Sequence, residues 1–380
     1  MSITRITISL TLAGVLLTVV PTAYGIAKIG RGTLNVSAKL NFEYDTNIFG
    51  NSSTSQDLSV IFTPGLNYSR RVGLISTTAA LGVKSIAFDD TTGQDSLDPF
   101  FNVNFSMDRA EKGSVAAGFG YTKTTQANEF LLTRTESDEF RGNGRIDYFY
   151  SEKTGVRMNS TFRVSDFGSA GYGDVKSYAL GGGFLYRYSQ KLTFNATYDY
   201  SPESVTNSPV ANSNPNSDNH RISVGVEGEL RPKLNGSISV GQVRREFDVG
   251  GSSSSFLLAS NISWAASQKT SWTLSASQNF DTTPGAESAK ISAGTLSVSH
   301  SLTDKLSLSG RLGRQEMDFD QIPGPITRSD TANIYGADAN YKLNDHYNAN
   351  AAVTHRINNS TLQLADYTRT VYSLGLNASF

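Results

Sequence analysis

The chain has four histidines, His220, His300, His346 and His355, and they are its best candidates for activating a nucleophile or holding a metal. A Ser–His pair needs a carboxylate or amide that orients the imidazole. None of the four stands in such a setting. His346 falls in a short turn and His220 at a strand end. His300 and His355 lie on the apolar registers of their strands, which suits a boundary between lipid and water. No Gly-x-Ser-x-Gly elbow joins a strand to a helix. No two histidines have metal-ligand spacing, and with no cysteine the usual zinc ligands are missing. Glu316, Asp318 and Asp320 cluster near a strand end and read as a solvated rim. In the polar stretch 205–217 only Asp218 adds a carboxylate close by, which falls short of an oxygen cage for calcium. The residues therefore argue against an enzyme and against a cofactor or metal.

The elements that carry these residues share one pattern. From the C-terminus, Phe380, Ala378, Leu376, Leu374 and Tyr372 alternate with Ser379, Asn377, Gly375 and Ser373. Strict alternation is a strand with one apolar and one polar face. With its final Phe, this segment resembles the insertion signal of bacterial outer-membrane β-barrels, carried by Tyr372, Leu374, Leu376 and Phe380. The same alternation recurs, as in Leu192, Phe194, Ala196, Tyr198 and Tyr200 against Thr193, Asn195, Thr197 and Asp199. No stretch holds helical spacing. About eighteen such segments occur, each near the length a tilted membrane strand requires, with sixteen the alternative count. The expected fold is all-β, a transmembrane antiparallel up-and-down β-barrel.

The connections alternate in kind. Short, often basic turns such as Arg70–Gly73, Ser189–Lys191 and Thr303–Lys305 alternate with loops that are often longer, such as 45–56, 89–96, 205–217, 283–289 and 320–329. Eight short turns between nine outer loops fit eighteen strands with both ends in the periplasm. Tyr148, Tyr150, Tyr186 and Tyr188 fall late in segments running inward, and Tyr44, Tyr121, Tyr198 and Tyr200 late in segments running outward. Those are the levels of the two aromatic girdles.

The N-terminus reads as an export signal. Arg5 precedes an apolar stretch from Ile6 to Val20, then Pro21 and small residues, with cleavage after Gly25 or as late as Ala27. Residues 1–25 are the expected signal and residues 26–380 the barrel. A net charge of −1 gives no field that favours nucleic acid. Mean hydropathy is −0.29, which is compatible with a barrel because every second residue faces a polar lumen.

The first hairpin carries Phe42-Glu43-Tyr44-Asp45-Thr46-Asn47-Ile48-Phe49. This resembles the Tyr-Asp-x-Asn-(Ile or Val)-Phe start of a family of outer-membrane β-barrel porins, which often accompany exopolysaccharide or capsule synthesis and export. The resemblance implies the outer membrane of a Gram-negative bacterium and transport of solute or polysaccharide. Its implied partners are membrane lipid, the barrel-assembly machinery and periplasmic export components. Eighteen strands also resemble the alginate-export barrel, although no local motif links the two. The family transfers no catalytic residue. Asp45 and Asn47 read best as turn chemistry, since both side chains can bond their own backbone.

If the apolar registers face lipid, the others line a pore. The expected inward bases are Lys39, Lys84, Arg141, Arg145, Arg157, Arg163, Arg187, Arg221, Arg245, Arg311, Lys342, Arg356 and Arg369. The expected inward acids are Glu43, Asp108, Asp147, Asp199, Glu227, Glu229 and Asp338, thirteen bases against seven acids. A surplus of that sign would favour acidic polysaccharide or small anionic solutes. The competing expectation is cross-strand pairing, for instance Arg145 and Asp147 with Arg163. A barrel this wide is either an aqueous pore or a structural or surface-binding barrel with a closed lumen. Residues 205–217 are the longest polar loop, placed at the outer surface or folded inward as a constriction.

Overall fold

The computed structural model describes residues 27–109, 112–168, 172–206, 216–248, 251–283, 288–320 and 328–380. Residues 1–26, which carry the expected signal, and most of the 205–217 loop lie outside the described residues. A stub, β1 (Ala27–Ile29), pairs with the start of β2 (Gly32–Asp45). The wall continues through β3 (Asp57–Val72), β4 (Ile75–Phe88), β5 (Ser96–Arg109), β6 (Gly113–Asn128), β7 (Thr133–Phe149), β8 (Thr154–Phe167) and β9 (Asp174–Ser189). It is completed by β10 (Leu192–Thr206), β11 (Ser217–Arg231), β12 (Leu234–Phe247), β13 (Gly251–Ala265), β14 (Thr270–Thr282), β15 (Ser288–Ser301), β16 (Leu306–Asp320), β17 (Ser329–Lys342), β18 (Tyr347–Ser360) and β19 (Tyr367–Ser379).

Each strand from β2 onward pairs antiparallel with the next, and β19 returns to β2, so eighteen strands form a closed barrel. The sequence expectation of eighteen over sixteen matches this count. Closure is what lets such a sheet cross lipid, because an open edge would leave backbone N–H and C=O groups without partners. The alternation fixes the faces. Phe184, Ile222 and Leu374 stand on the outer face with more than half of their surface exposed. The intervening positions, rich in Ser, Asn and Gly, face inward.

Eight short turns join the strands at one end and nine loops at the other. The tightest turns hold two residues. Between β3 and β4, Gly73 takes a left-handed φ of 59°, which a side chain would disfavour. Tyr148, Tyr150, Tyr186 and Tyr188 are exposed near the turn end, at the level of one aromatic girdle, and the shortness of the turns marks that end as the periplasmic one.

The final residue completes the closure. The Phe380 N–H donates to Val36 O (2.9 Å), and Phe380 O accepts from the Val36 N–H (3.0 Å). The Phe380 ring stacks on His346 at 5.2 Å and meets Tyr347 edge-on at 5.6 Å. His346 is thus packed against the terminus in its turn. His300 and His355 lie on the outer registers beside Leu308 and Tyr335, as their apolar positions suggested.

The two faces of β19 should differ in tolerance. Leu374→Arg, on the lipid face, is expected to destabilise the barrel by about 2–4 kcal/mol in urea titrations of the lipid-embedded protein. Ser373→Arg, on the inner face, should cost only about 0.5 kcal/mol. Equal costs would refute the assignment of faces.

Candidate lumen and its outer mouth

The ladders put all thirteen expected basic residues on inward registers. Lys39 pairs with Asn377, Lys84 with Asp98, Arg141 with Arg163, Arg145 with Asn159, Arg157 with Asp147, and Arg187 with Thr193. Arg221 pairs with Asp199, Arg245 with Asn219, Arg311 with Ser297, Lys342 with Asn348, and Arg356 with Arg369. The expected surplus of positive charge, however, disappears. Asp45, Asp57, Asp98, Glu139, Glu203, Asp281 and Asp330 also occupy inward registers, near the outer ends of their strands. These residues look like loop flanks in the sequence, but the strands extend far enough to include them.

Most of the inward arginines are held by acids, four of them by members of this set. Arg145 Nη2 contacts Asp147 Oδ2 at 2.7 Å and Glu227 Oε1 at 3.0 Å. Arg157, almost fully buried, shares both carboxylates at 2.8 and 2.6 Å. Arg163 does not join this group. It pairs with Asp281 of β14 at 2.9 Å, which corrects the expectation for Arg145, Asp147 and Arg163. Arg141 binds Glu139, Arg356 binds Glu129 (2.7 Å), and Arg369 binds Asp45 (2.6 Å). Arg187 lies over the Phe149 ring at 3.8 Å, and Arg221 donates to Asn279 Oδ1 at 2.7 Å. Lys342 leaves the lumen for Asp345 in a periplasmic turn at 2.6 Å. Among the described residues, Lys39, Lys84, Arg187, Arg221 and Arg311 form no ion pair.

Small residues make room for this polar lining. A Cβ at Gly181 would stand 1.8 Å from Asp199 Oδ1, which instead accepts from Asn159 Nδ2 at 2.6 Å. Asn159 and Asp199 border a cavity of about 490 Å³ between β8–β11 and β14–β15, together with Arg163, Asn219 and Asn279.

The outer mouth is crossed by a loop that sequence reasoning missed. After β6, residues 129–132 turn into the lumen and reach the far wall. Arg328 donates to Glu129 O (2.8 Å) and Phe130 O (2.9 Å), while its other side grips Asp330 at 2.6 Å. Gln315 Nε2 donates to Glu129 Oε1 at 3.3 Å, and Asn51 Nδ2 to Leu132 O at 2.9 Å. The Phe130 ring meets Phe319 edge-on at 6.2 Å, over a buried patch of Ala289, Met317 and Phe319. The sequence signal was available: Phe130-Leu131-Leu132 is a run of three consecutive apolar residues in an outer loop.

Near the β2–β19 join, the Asp45 carboxylate accepts from the Asn47 N–H at 2.9 Å and from Arg369. Asn47 Oδ1 accepts from the Gly50 N–H at 3.0 Å, and Ile48 packs on Ile61, Ile86 and Phe88. This is the turn chemistry expected of the motif. At the outer rim, Glu316 pairs with Arg314 and Asp318 with Lys290, at 2.7 and 3.0 Å; the Asp320 side chain lies outside the described residues. His220 is bonded to Tyr198 Oη at 2.8 Å and sits on an outward register.

Residues 205–380 match the family described as "Putative beta-barrel porin 2". No curated protein matches the chain. Among solved structures, the chain is similar to the FrpB iron transporter of Neisseria meningitidis, with 10% identity and a TM-score of 0.44 over 85% of this chain. It spans 62% of that transporter's length. It is similar to the ferric enterobactin receptor PfeA of Pseudomonas aeruginosa, with 9% identity, a TM-score of 0.46, and 91% of this chain and 81% of that one covered. Acinetobacter baumannii OccAB2 gives 9% identity and a TM-score of 0.48, with 93% and 98% covered. The match over residues 205–380 and the closed antiparallel barrel are those of an outer-membrane β-barrel.

The Arg145–Asp147–Arg157–Glu227 cluster should be sensitive to loss of its central carboxylate. Asp147→Ala is expected to cost about 3 kcal/mol because it leaves buried Arg157 half paired. Arg145→Ala, at a half-exposed site, should cost under about 1 kcal/mol. Denaturant titration of the folded barrel distinguishes the two.

Proposed function

We propose that the chain forms a narrow aqueous channel for polar, hydroxyl-bearing or anionic solutes, with exopolysaccharide export as the setting suggested by its first-hairpin motif. The observation that carries this reading is the continuous polar inner face of a closed eighteen-strand wall. A wall of that size encloses more space than its own side chains need. Because most of the lumen charges pair off, selectivity for anions is modest and rests on the bases without an ion pair, Lys39, Lys84, Arg187, Arg221 and Arg311, rather than on the whole basic set. The pore-lining roles of the paired arginines are to shape and stiffen the wall.

The loop at 129–132 supports a second reading, a barrel whose mouth is closed at rest. Both readings are tested by single-channel recording in planar bilayers. Wild type is expected to give small or infrequent openings with a weak anion preference under a salt gradient. Arg328→Ala combined with Glu129→Ala removes the clasp on the loop and should raise conductance or open probability at least severalfold. Arg311→Ala should lower the anion preference. Silence from a folded, heat-modifiable barrel in both forms would favour the closed, surface-binding alternative.

A further inference from the structure

The wall is not uniform. Along most of the barrel, neighbouring strands pair over nearly their whole length. β13 and β14 pair only from Ala265↔Ser271 to Leu258↔Gln278. Beyond that point Gly251–Leu257 remain bonded to β12 on one side but, among the described residues, have no ladder partner on the other. The outer end of β14, residues 279–282, stays paired with β15 instead.

The side chains show where that end has gone. Arg245 faces inward from β12 and is 1% exposed. Its guanidinium donates to Ser288 Oγ at 3.1 Å, to Asp281 O at 3.3 Å and to Thr282 Oγ1, and it pairs with Glu203 at 2.5 Å. Thr282 and Ser288 occupy the outward registers of β14 and β15, cross-strand partners on the side that faces lipid lower down. An inward side chain of β12 can reach outward side chains of β14 and β15 only if those two ends lie inside the β12–β13 wall. Gln278 Nε2 bonding Ser255 Oγ at 2.9 Å and Asp281 reaching Arg163 at 2.9 Å describe the same displacement into the lumen. Phe280 is 5% exposed, whereas Phe256, on the outer face of β13, is 55% exposed.

We propose that residues 279–282 with 288–291 form an internal gate with two seats. In the observed seat, Arg245 holds it inside the wall, where it narrows the mouth and leaves the β13 edge open. In the second seat, β14 extends its existing register onto that edge, with Phe256 opposite Phe280 and Ser255 opposite Asp281. That register continues the pair Leu258↔Gln278 by two and three residues along each strand. It would pair the backbone groups of β13 that have no ladder partner among the described residues, place Phe280 on the lipid face beside Phe256, and draw Asp281 back from the mouth to the inner face of the wall. The exchange trades one buried guanidinium network for one stretch of ladder, which gives two discrete arrangements rather than a continuum. The widening of the mouth rests on the channel reading; the movement does not.

The chain has no cysteine, so engineered pairs report without background. Ser255→Cys with Asp281→Cys should form a disulfide under mild oxidation in the lipid-embedded protein, and adding Arg245→Ala should raise its yield at least threefold. Arg163→Cys with Asp281→Cys, joined by a bifunctional maleimide that spans the length of the lost guanidinium, should lock the observed seat. In bilayers, the 255–281 disulfide is expected to increase conductance at least twofold over the reduced form, and the 163–281 crosslink to decrease it. The gate is overturned if the 255–281 pair stays reduced in a folded barrel even with Arg245→Ala, or if both locked forms conduct equally. A 255–281 disulfide that forms while no variant conducts would establish the movement and defeat the channel reading instead.

Discussion

A strand in lipid cannot leave its backbone groups to water, and every other feature of this molecule depends on that constraint. It requires the sheet to close on itself, and closure requires β19 to find β2 across the whole length of the chain. It also requires each strand to sort its side chains by alternation, apolar to lipid and polar to the inside. Where the ladder is interrupted, between β13 and β14, the structure compensates with a buried arginine rather than with backbone bonds.

The same sorting explains the electrostatics of the interior. Charges are excluded from the lipid face, so they accumulate inside and there encounter one another. The result is a lining of mutually satisfied pairs, as with Arg145 and Arg157 sharing Asp147 and Glu227. Such pairs immobilise the long side chains of the wall. They also cancel most of the field that a list of arginines alone would suggest.

Much of this architecture was legible in the chain. Period-two alternation, regular turn spacing and the terminal Phe led to a closed barrel of eighteen strands, and the alternation gave each strand its two faces. What was not legible has a common cause. Strand period reports which way a side chain points from its strand, not where the strand travels. Thr282 and Ser288 keep flawless outward registers while lying inside the wall. The inward acids Asp45, Glu203 and Asp281 sit at strand ends, where sequence cannot separate the last paired residue from the first loop residue. The clasp on Glu129 and Phe130 joins segments some two hundred positions apart, beyond the reach of any local pattern.

The Asp45–Arg369 pair at the β2–β19 join carries a consequence for the order of assembly. The two residues are separated by 324 positions, so their contact is among the most distant in the chain. Ordering so long a connection is slow and unrewarded until the last strand arrives. Asn47 and Ile48 can take up their local turn early, but Asp45 can receive its guanidinium only when the wall is otherwise built. The hairpin motif at 44–49 therefore marks the end of a temporal sequence: a prepared socket, made first and filled last, that distinguishes a completed barrel from one still open to further strands.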